Sequence, residues 1–213
     1  MVFASREAAG RQLGESLRRR PQWLDIVLGL PRGGVLVAAE VAAALNLPLG
    51  VVVVRKIGHP WSPEFAVGAV AEGGVVVLDQ DSIEPTPGIE AELNAIIREG
   101  RKHLAACQAR FGFACREDLA LKSVLLVDDG LATGATMEAA VRSARQRKAR
   151  TVTVAAPVAS TSAVERLRRV ADDVVMLCVD PQFAAVGHYY ESFPQTSDEE
   201  VLKCLRGVKE RRG

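Results

Sequence analysis

Aromatic residues make up only 5% of this 213-residue chain, and its three histidines and four cysteines are scattered along it. Cys107, Cys115, Cys178 and Cys204 contain no CxxC pair, the nearest two being eight residues apart. That spacing excludes a zinc ribbon and a dense disulfide framework and leaves reduced thiols. Charge of one sign is also missing: 27 Lys and Arg stand against 26 Asp and Glu, a formal net charge of +1. With no surplus of positive charge to neutralise phosphates over a wide surface, neither nucleic acid nor an anionic membrane is an expected partner. No apolar run nears the ~20 residues needed to cross a bilayer, and charges run throughout the first twenty residues where a signal peptide has its apolar centre. The expected setting is the cytoplasm.

Short apolar runs are abundant, since 48% of the residues are hydrophobic, and a chain of this length can bury a substantial core as one domain. Residues 5–20 place Ala8, Ala9, Leu13 and Leu17 among charges, an amphipathic helix closed by Pro21. After it come an apolar run (25–30), a PRGG break, a strong helix former (35–46) and a β-branched run (49–56), which together read as a βαβ unit. The pattern resumes with apolar runs at 123–129, 151–158 and 173–179, separated by helices at about 135–148 and 161–170. Continuous apolar strands alternating with helices predict a parallel sheet covered on both faces.

Between the halves, residues 66–79 carry Glu72, Gly73 and Gly74 as a hairpin turn, and 88–112 read as one long helix with a charged, solvated face. After Asp180 come Phe183, Tyr189, Tyr190 and Phe193, then a charged helix near 197–211. The expected fold is α/β: a doubly wound, mostly parallel sheet with a helical and hairpin insertion and a small C-terminal aromatic segment. A single domain over 1–213 would divide into a core (about 20–58 and 120–180), the insertion (about 59–119) and that C-terminal segment (about 180–195), which the resemblance named below implies to be a hood.

The most informative stretch runs from Val124 to Thr136: an apolar strand, Asp128 and Asp129, Gly130 and Leu131, then Ala132, Thr133, Gly134, Ala135 and Thr136 opening a helix. Small residues let a ligand approach the backbone, and a helix start offers free N–H groups and a positive dipole end, which suits a phosphate. Two acceptor-only carboxylates at a strand end, where Gly130 lets the chain turn, can both face one cleft and fit vicinal sugar hydroxyls. Taken singly, a Thr would cap the helix and an aspartate would be solvated; the order strand, acids, loop, helix favours a site.

This run resembles the phosphoribosyl-diphosphate (PRPP) signature of type I phosphoribosyltransferases, with Gly130 where that family has an aliphatic residue or Ser. The resemblance covers most of residues 20–195. It implies that Asp128 and Asp129 bind the ribose hydroxyls at the reacting sugar and that Ala132, Thr133, Gly134, Ala135 and Thr136 hold the 5′-phosphate. The segment 29–34 resembles the family's pyrophosphate loop, which assigns Arg32, Gly33 and Gly34 to the diphosphate and implies a non-prolyl cis peptide at Pro31–Arg32; its plainer reading is an ordinary turn. Arg55 and Lys56, ending the second predicted strand, resemble a phosphate-contacting pair. Residues 57–64 correspond to a flexible lid, with His59 a weak acid/base candidate and Glu64 and Glu72 further, unsupported ones for which solvated faces are the favoured reading.

The segment 180–190 loosely resembles the hood that recognises the acceptor, which makes Phe183 the stacking candidate with Tyr189 and Tyr190 behind it; a small aromatic core is the alternative. The implied reaction transfers ribose 5-phosphate from PRPP to a nitrogenous, nucleobase-like acceptor and releases pyrophosphate. Mg²⁺ is the implied cofactor, held through PRPP near the two aspartates with no direct protein ligand set. Homodimers are common in the family. A non-catalytic PRPP or nucleotide sensor is the competing reading, disfavoured by Arg32, Arg55 and Lys56. A receiver-like domain is disfavoured because the acidic pair follows some 120 residues of prior chain and precedes T-G-A-T.

Overall fold

The structure is a computed structural model that describes residues 1–20, 23–79, 83–111 and 118–210. Pro21, the expected helix stop, Gly112 and Arg211 at two predicted helix ends, and Cys115 lie outside the described residues. The elements in order are α1 (Arg6–Arg18), β1 (Ile26–Gly29), α2 (Gly33–Leu45), β2 (Leu49–Val51), β3 (Val54–His59), β4 (Ser62–Ala71) and β5 (Val76–Leu78). They continue with α3 (Ile89–Phe111), β6 (Ser123–Val127), α4 (Ala135–Gln146), β7 (Thr151–Ser160), α5 (Thr161–Arg168), β8 (Asp173–Asp180) and α6 (Asp198–Glu210).

Five strands form a parallel sheet in the order β2-β1-β6-β7-β8, and β3-β4-β5 form a second, antiparallel sheet. Alternation along the parallel strands divides the core. Ile26, Leu28, Val124 and Leu126 pack with Met137, Val141 and Leu167 of α4 and α5. Val27, Leu125 and Val127 pack on the other face with Leu13, Leu17, Val37 and Val41 of α1 and α2. Both faces being covered explains why β1 and β6 are buried at every position and why these strands were legible as unbroken runs.

Strand order reverses at β1. The chain passes from β1 to β2 on one side, and β6 pairs with β1 on the other, so a crevice opens beyond their carboxyl ends. Register fixes what borders it: Gly29 lies opposite Val127, and the Leu30 N–H donates to the Val127 carbonyl at 3.0 Å. The PRGG segment and the acidic pair therefore leave the sheet side by side.

The predicted second strand, 49–56, is broken. The chain leaves the parallel sheet at Val51, and Arg55 and Lys56 belong to β3 of the other sheet. The cause is Glu72, whose carboxylate accepts from the Val53 N–H at 2.7 Å and so diverts the backbone between the sheets. The stretch expected as a flexible lid is likewise the turn of the β3–β4 hairpin: His59 pairs with Ser62, and the Trp61 N–H donates to His59 Nδ1 at 3.3 Å. Val54 and Ile57 on β3 and Val67 and Val70 on β4 favour strand pairing, which the Pro and Gly content around the turn masked.

Glu72 is only 4% exposed, a correction to its expected solvated placement. Arg147 donates to its carboxylate at 3.1 Å and Ser143 Oγ donates to its carbonyl at 2.9 Å, so this turn docks the second sheet on α4. Burial raises the Glu72 pKa above its ordinary 4.5, opposed by the Val53 hydrogen bond and Arg147. A raised folded-state value adds stability that is present below 4.5 and lost as pH rises through the folded value. Glu72→Ala leaves the buried Val53 N–H without its acceptor and removes the Arg147 ion pair, and is expected to cost about 2–3 kcal/mol in denaturant unfolding at pH 7. Measured against Glu72→Gln, the wild type is expected to lose stability as pH rises from below 4.5.

Candidate active site

Four of the six helices have caps that can be compared. Ser5 caps α1 and Ser160 caps α5 through side-chain hydrogen bonds, whereas α2 begins at Arg32 and α4 at Gly134 with no side-chain cap. The two uncapped starts are those that open from the crevice. Their first-turn N–H groups and positive dipole ends are oriented for an anion. Gly134 has φ +74°, a left-handed conformation that turns the loop into α4, and a Cβ there would stand 3.2 Å from Ala163 Cα.

A cavity of about 380 Å³ lies over this loop, floored by Ala132, Thr133, Gly134 and Thr136 and walled by Asp128, Lys56, Phe65 and Val186. Of the loop residues named from the sequence, Ala135 alone is absent from the lining; it is 4% exposed, and its N–H donates to Thr133 Oγ1 at 3.4 Å. Gly130, the departure from the family pattern, has a local reason: a Cβ there would come within 2.6 Å of Val186 Cγ1. Val186 occupies the space that a larger residue at 130 would take.

The two aspartates do not face the same way. Asp128 lines the cavity, and its Oδ1 accepts from the Asp129 N–H at 2.9 Å. Asp129 turns back into the protein, against the expectation of a shared cleft, because Arg6 Nε donates to its Oδ2 at 2.7 Å. The Arg6 guanidinium lies 3.7 Å over the Phe193 ring and donates to the Pro194 carbonyl at 2.8 Å. The Tyr190 hydroxyl donates to the Asp129 carbonyl at 2.6 Å. Gly33 and Gly34 permit this packing: a Cβ at Gly33 would overlap the Asp129 carboxylate, and one at Gly34 would stand 2.6 Å from Asp128 Oδ1.

Burial first, and then the neighbouring Asp129, raises Asp128 well above the ordinary carboxylate range. Burial also raises Asp129, and Arg6 pulls it back by hydrogen bonding and charge. Among the described residues no cluster of three or more His, Cys, Asp or Glu side chains could hold a metal ion. The Asp128 carboxylate, a hard oxygen donor on the cavity wall, is the group that suits a hard cation carried in on a phosphate.

The peptide between Pro31 and Arg32 is cis, as the resemblance implied. Arg32, Arg55 and Lys56 border a second cavity beyond this loop, and Lys56 borders both. Phe183 and Tyr189 are placed differently from their expected role. Their rings stack on each other at 5.3 Å, Tyr189 donates to Asp180 Oδ2 at 2.7 Å, and neither lines the cavity. They belong to a small core with Phe3, Ala9 and Val158, and of the segment after β8 it is Val186 that reaches the cavity.

Sequence reasoning missed Arg6, Phe65 and Val186. Arg6 carried a readable signal: it stands three and seven residues before Ala9 and Leu13, on the buried stripe of α1, where a cation requires a carboxylate partner.

A family profile for the phosphoribosyl transferase domain matches residues 5–192. Two Mycobacterium tuberculosis proteins (strains CDC 1551 and H37Rv), named provisionally as phosphoribosyl transferases, are each 43% identical over 205 residues. The match takes in 96% of this chain and 46% of each relative, so the chain spans about half the length of the curated relatives it matches. TT1426 of Thermus thermophilus is 43% identical, with a TM-score of 0.80 over 98% of this chain and 99% of that one. AQ2163 of Aquifex aeolicus, 13% identical over 85% of this chain and 78% of its own, shares the fold with a TM-score of 0.52.

Removing the Arg6 cation with Arg6→Met leaves the Asp129 carboxylate buried alone and is expected to cost about 3–5 kcal/mol at pH 7. The loss should shrink as pH falls and Asp129 takes up a proton, read by denaturant unfolding at two pH values. Asp128 shows the opposite sense. Its raised folded-state pKa contributes stability present below 3.8 and lost as pH rises, so Asp128→Asn is expected to melt at a higher temperature than wild type at pH 7.

Proposed function

The chain belongs to the phosphoribosyl transferase family, and from that premise we propose that it transfers the ribose 5-phosphate of PRPP to a nitrogenous acceptor, with release of pyrophosphate. The observation that carries this reading is one cavity at the β1/β6 switch point holding the uncapped start of α4, the Asp128 carboxylate and Lys56. A phosphate dianion, a sugar hydroxyl and a leaving anion each find the complementary group there.

The loop Ala132–Thr136 and the first turn of α4 would bind the 5′-phosphate through backbone N–H groups and the Thr133 and Thr136 hydroxyls. Asp128 would accept hydrogen bonds from the ribose hydroxyls. Asp129, neutralised by Arg6, would back Asp128 electrostatically and keep it in place. Arg32, Arg55, Lys56 and the α2 start at Gly33 and Gly34 would hold the diphosphate as negative charge collects on it. Mg²⁺, when bound, would supply charge neutralisation at that diphosphate.

Positive charge develops on the sugar as the C1–O bond breaks, and Asp128, the carboxylate on the cavity wall, would be the group to offset it. Phe65, exposed by 53% on the rim beside Val186, is the aromatic surface available to a planar acceptor such as a nucleobase. It takes the role first given to Phe183 and Tyr189.

Calorimetric titration of PRPP with and without Mg²⁺, followed by a nucleobase panel scored for pyrophosphate release, tests the reading. Magnesium-dependent binding and release with one acceptor class are expected. Asp128→Asn/Asp129→Asn should abolish turnover, and Asp128→Asn alone should lower kcat/KM roughly ten- to a hundredfold, the worth of a charge-assisted hydrogen bond. Wild-type turnover in the double variant would overturn the assignment, and tight PRPP binding with no release would favour the sensor.

A further inference from the structure

At the end of the parallel sheet away from the crevice, β1, β6, β7 and β8 begin and α1, α4 and α5 end. Cations gather along this amino edge. Segments 18–25, 118–123, 145–151 and 168–173, which lead the chain into those four strands, hold ten Lys and Arg against four Asp. Since the whole chain has a net charge of only +1, the remainder carries an excess of acids. The even balance of the composition thus conceals a charge separation, with the basic end on the side opposite the cavity.

Three of the four carboxylates are already engaged: Arg20 holds Asp173 at 2.9 Å, Arg145 holds Asp172 at 2.7 Å and Arg150 reaches Asp25 at 3.6 Å. Five further cations, Arg18, Arg19, Lys148, Arg168 and Arg169, are exposed, and among the described residues they take part in no ion pair. One cation at a helix end offsets the dipole there; adjacent pairs at the ends of α1 and α5 exceed that need. Because α1 packs on one face of the sheet and α4 and α5 on the other, the cations flank the edge from both sides.

Two large apolar side chains stand in the same belt. Trp23 is 91% exposed and Leu121 is 78% exposed. They leave from neighbouring strands, since the Asp25 N–H donates to the Ser123 carbonyl at 2.8 Å. Leu121 (φ +62°) and Lys148 (φ +63°) both hold the left-handed conformation, costly for residues with a Cβ, and the Leu121 N–H donates to the Lys148 carbonyl at 2.9 Å. The turn that presents Lys148 is thereby braced against the one that presents Leu121. An open indole face and a row of guanidinium groups are the two features that a single-stranded polynucleotide requires: bases stack on the ring, and Arg grips phosphate oxygens in a fork. Strand spacing sets β1 and β8 about 14 Å apart, so the row suits a chain-like anion. Two separate apolar side chains offer too little area to enter a bilayer.

We propose that the amino edge of the parallel sheet is a docking surface for single-stranded nucleic acid, with Trp23 stacking on a base and Arg18, Arg19, Arg168 and Arg169 binding the phosphates. This function is separate from that of the cavity, which lies at the other end of the same strands, and it does not depend on the reading of that cavity. It also reverses the expectation drawn from net charge, because the surplus that phosphates need is supplied locally.

The test is fluorescence anisotropy of a labelled oligodeoxythymidine of about twelve nucleotides, titrated with the full chain at several salt concentrations. The wild type is expected to bind, with log Kd rising by about 0.7 per log unit of salt for each phosphate neutralised. Trp23→Ala should raise Kd about tenfold and leave the salt slope unchanged. Arg18→Gln/Arg19→Gln and Arg168→Gln/Arg169→Gln should each weaken binding and flatten the slope by roughly 1.4. All these side chains are exposed, so every variant should melt as the wild type does. Arg101→Gln/Lys102→Gln, which removes the same charge from α3, should bind the oligonucleotide like the wild type. Absence of binding by the wild type, wild-type affinity in Trp23→Ala, or an equal loss in the α3 variant overturns the proposal. Sedimentation with phosphatidylserine vesicles carries the competing outcome: capture by vesicles without oligonucleotide binding assigns the edge to a membrane surface and overturns it as well.

Discussion

Parallel pairing of β1 with β6 is the constraint on which the site depends. Because Gly29 and Val127 end opposite each other, the segments that follow them must share one crevice, and both then start helices that carry no side-chain cap. A one-residue slip would turn each alternating side chain to the other face. Ile26 and Leu28 would lose α4 and α5, and Asp128 would exchange places with Asp129. Packing of the two core layers thereby fixes which carboxylate reaches the cavity.

That selection has an electrostatic side. Two adjacent carboxylates at a buried strand end repel each other, and the fold meets this by dividing them. Asp129 is neutralised from within by Arg6, while Asp128 accepts from the Asp129 N–H and lines the open cavity. The cavity-facing residue of the pair is therefore held in a state that a hydroxyl or a cation would relieve, and the cost is carried by the folded chain.

Much of this was legible in the sequence because it is local. Apolar runs with a helix between them specify β1, β6, β7 and β8, and the strand-acid-loop-helix order specifies the floor of the cavity. The cis peptide at Pro31–Arg32 followed from the resemblance alone. What was not legible depends on long-range partners. The break at Val52 and Val53 follows from Glu72, nineteen residues on from Val53, and nothing in a β-branched run announces it. Phe183 and Tyr189 suited an acceptor by composition, but Phe3 and Asp180 decide where they pack. Arg6 was the exception, readable in principle from its position on a buried stripe.

The hood is joined to the first residues of the chain. The Phe3 N–H donates to the Tyr189 carbonyl at 2.8 Å, the Glu191 N–H returns to the Phe3 carbonyl at 2.8 Å, and Arg6 reaches Pro194 across 188 positions. During synthesis, Arg6 emerges 188 residues before Pro194. The parallel sheet can collapse around β1 and β6 before then, yet the guanidinium that neutralises Asp129 gains its carbonyl and aromatic supports only when the hood arrives. Completion of the acidic centre is thus a late event in folding, one that reports that the hood and the first helix have found each other.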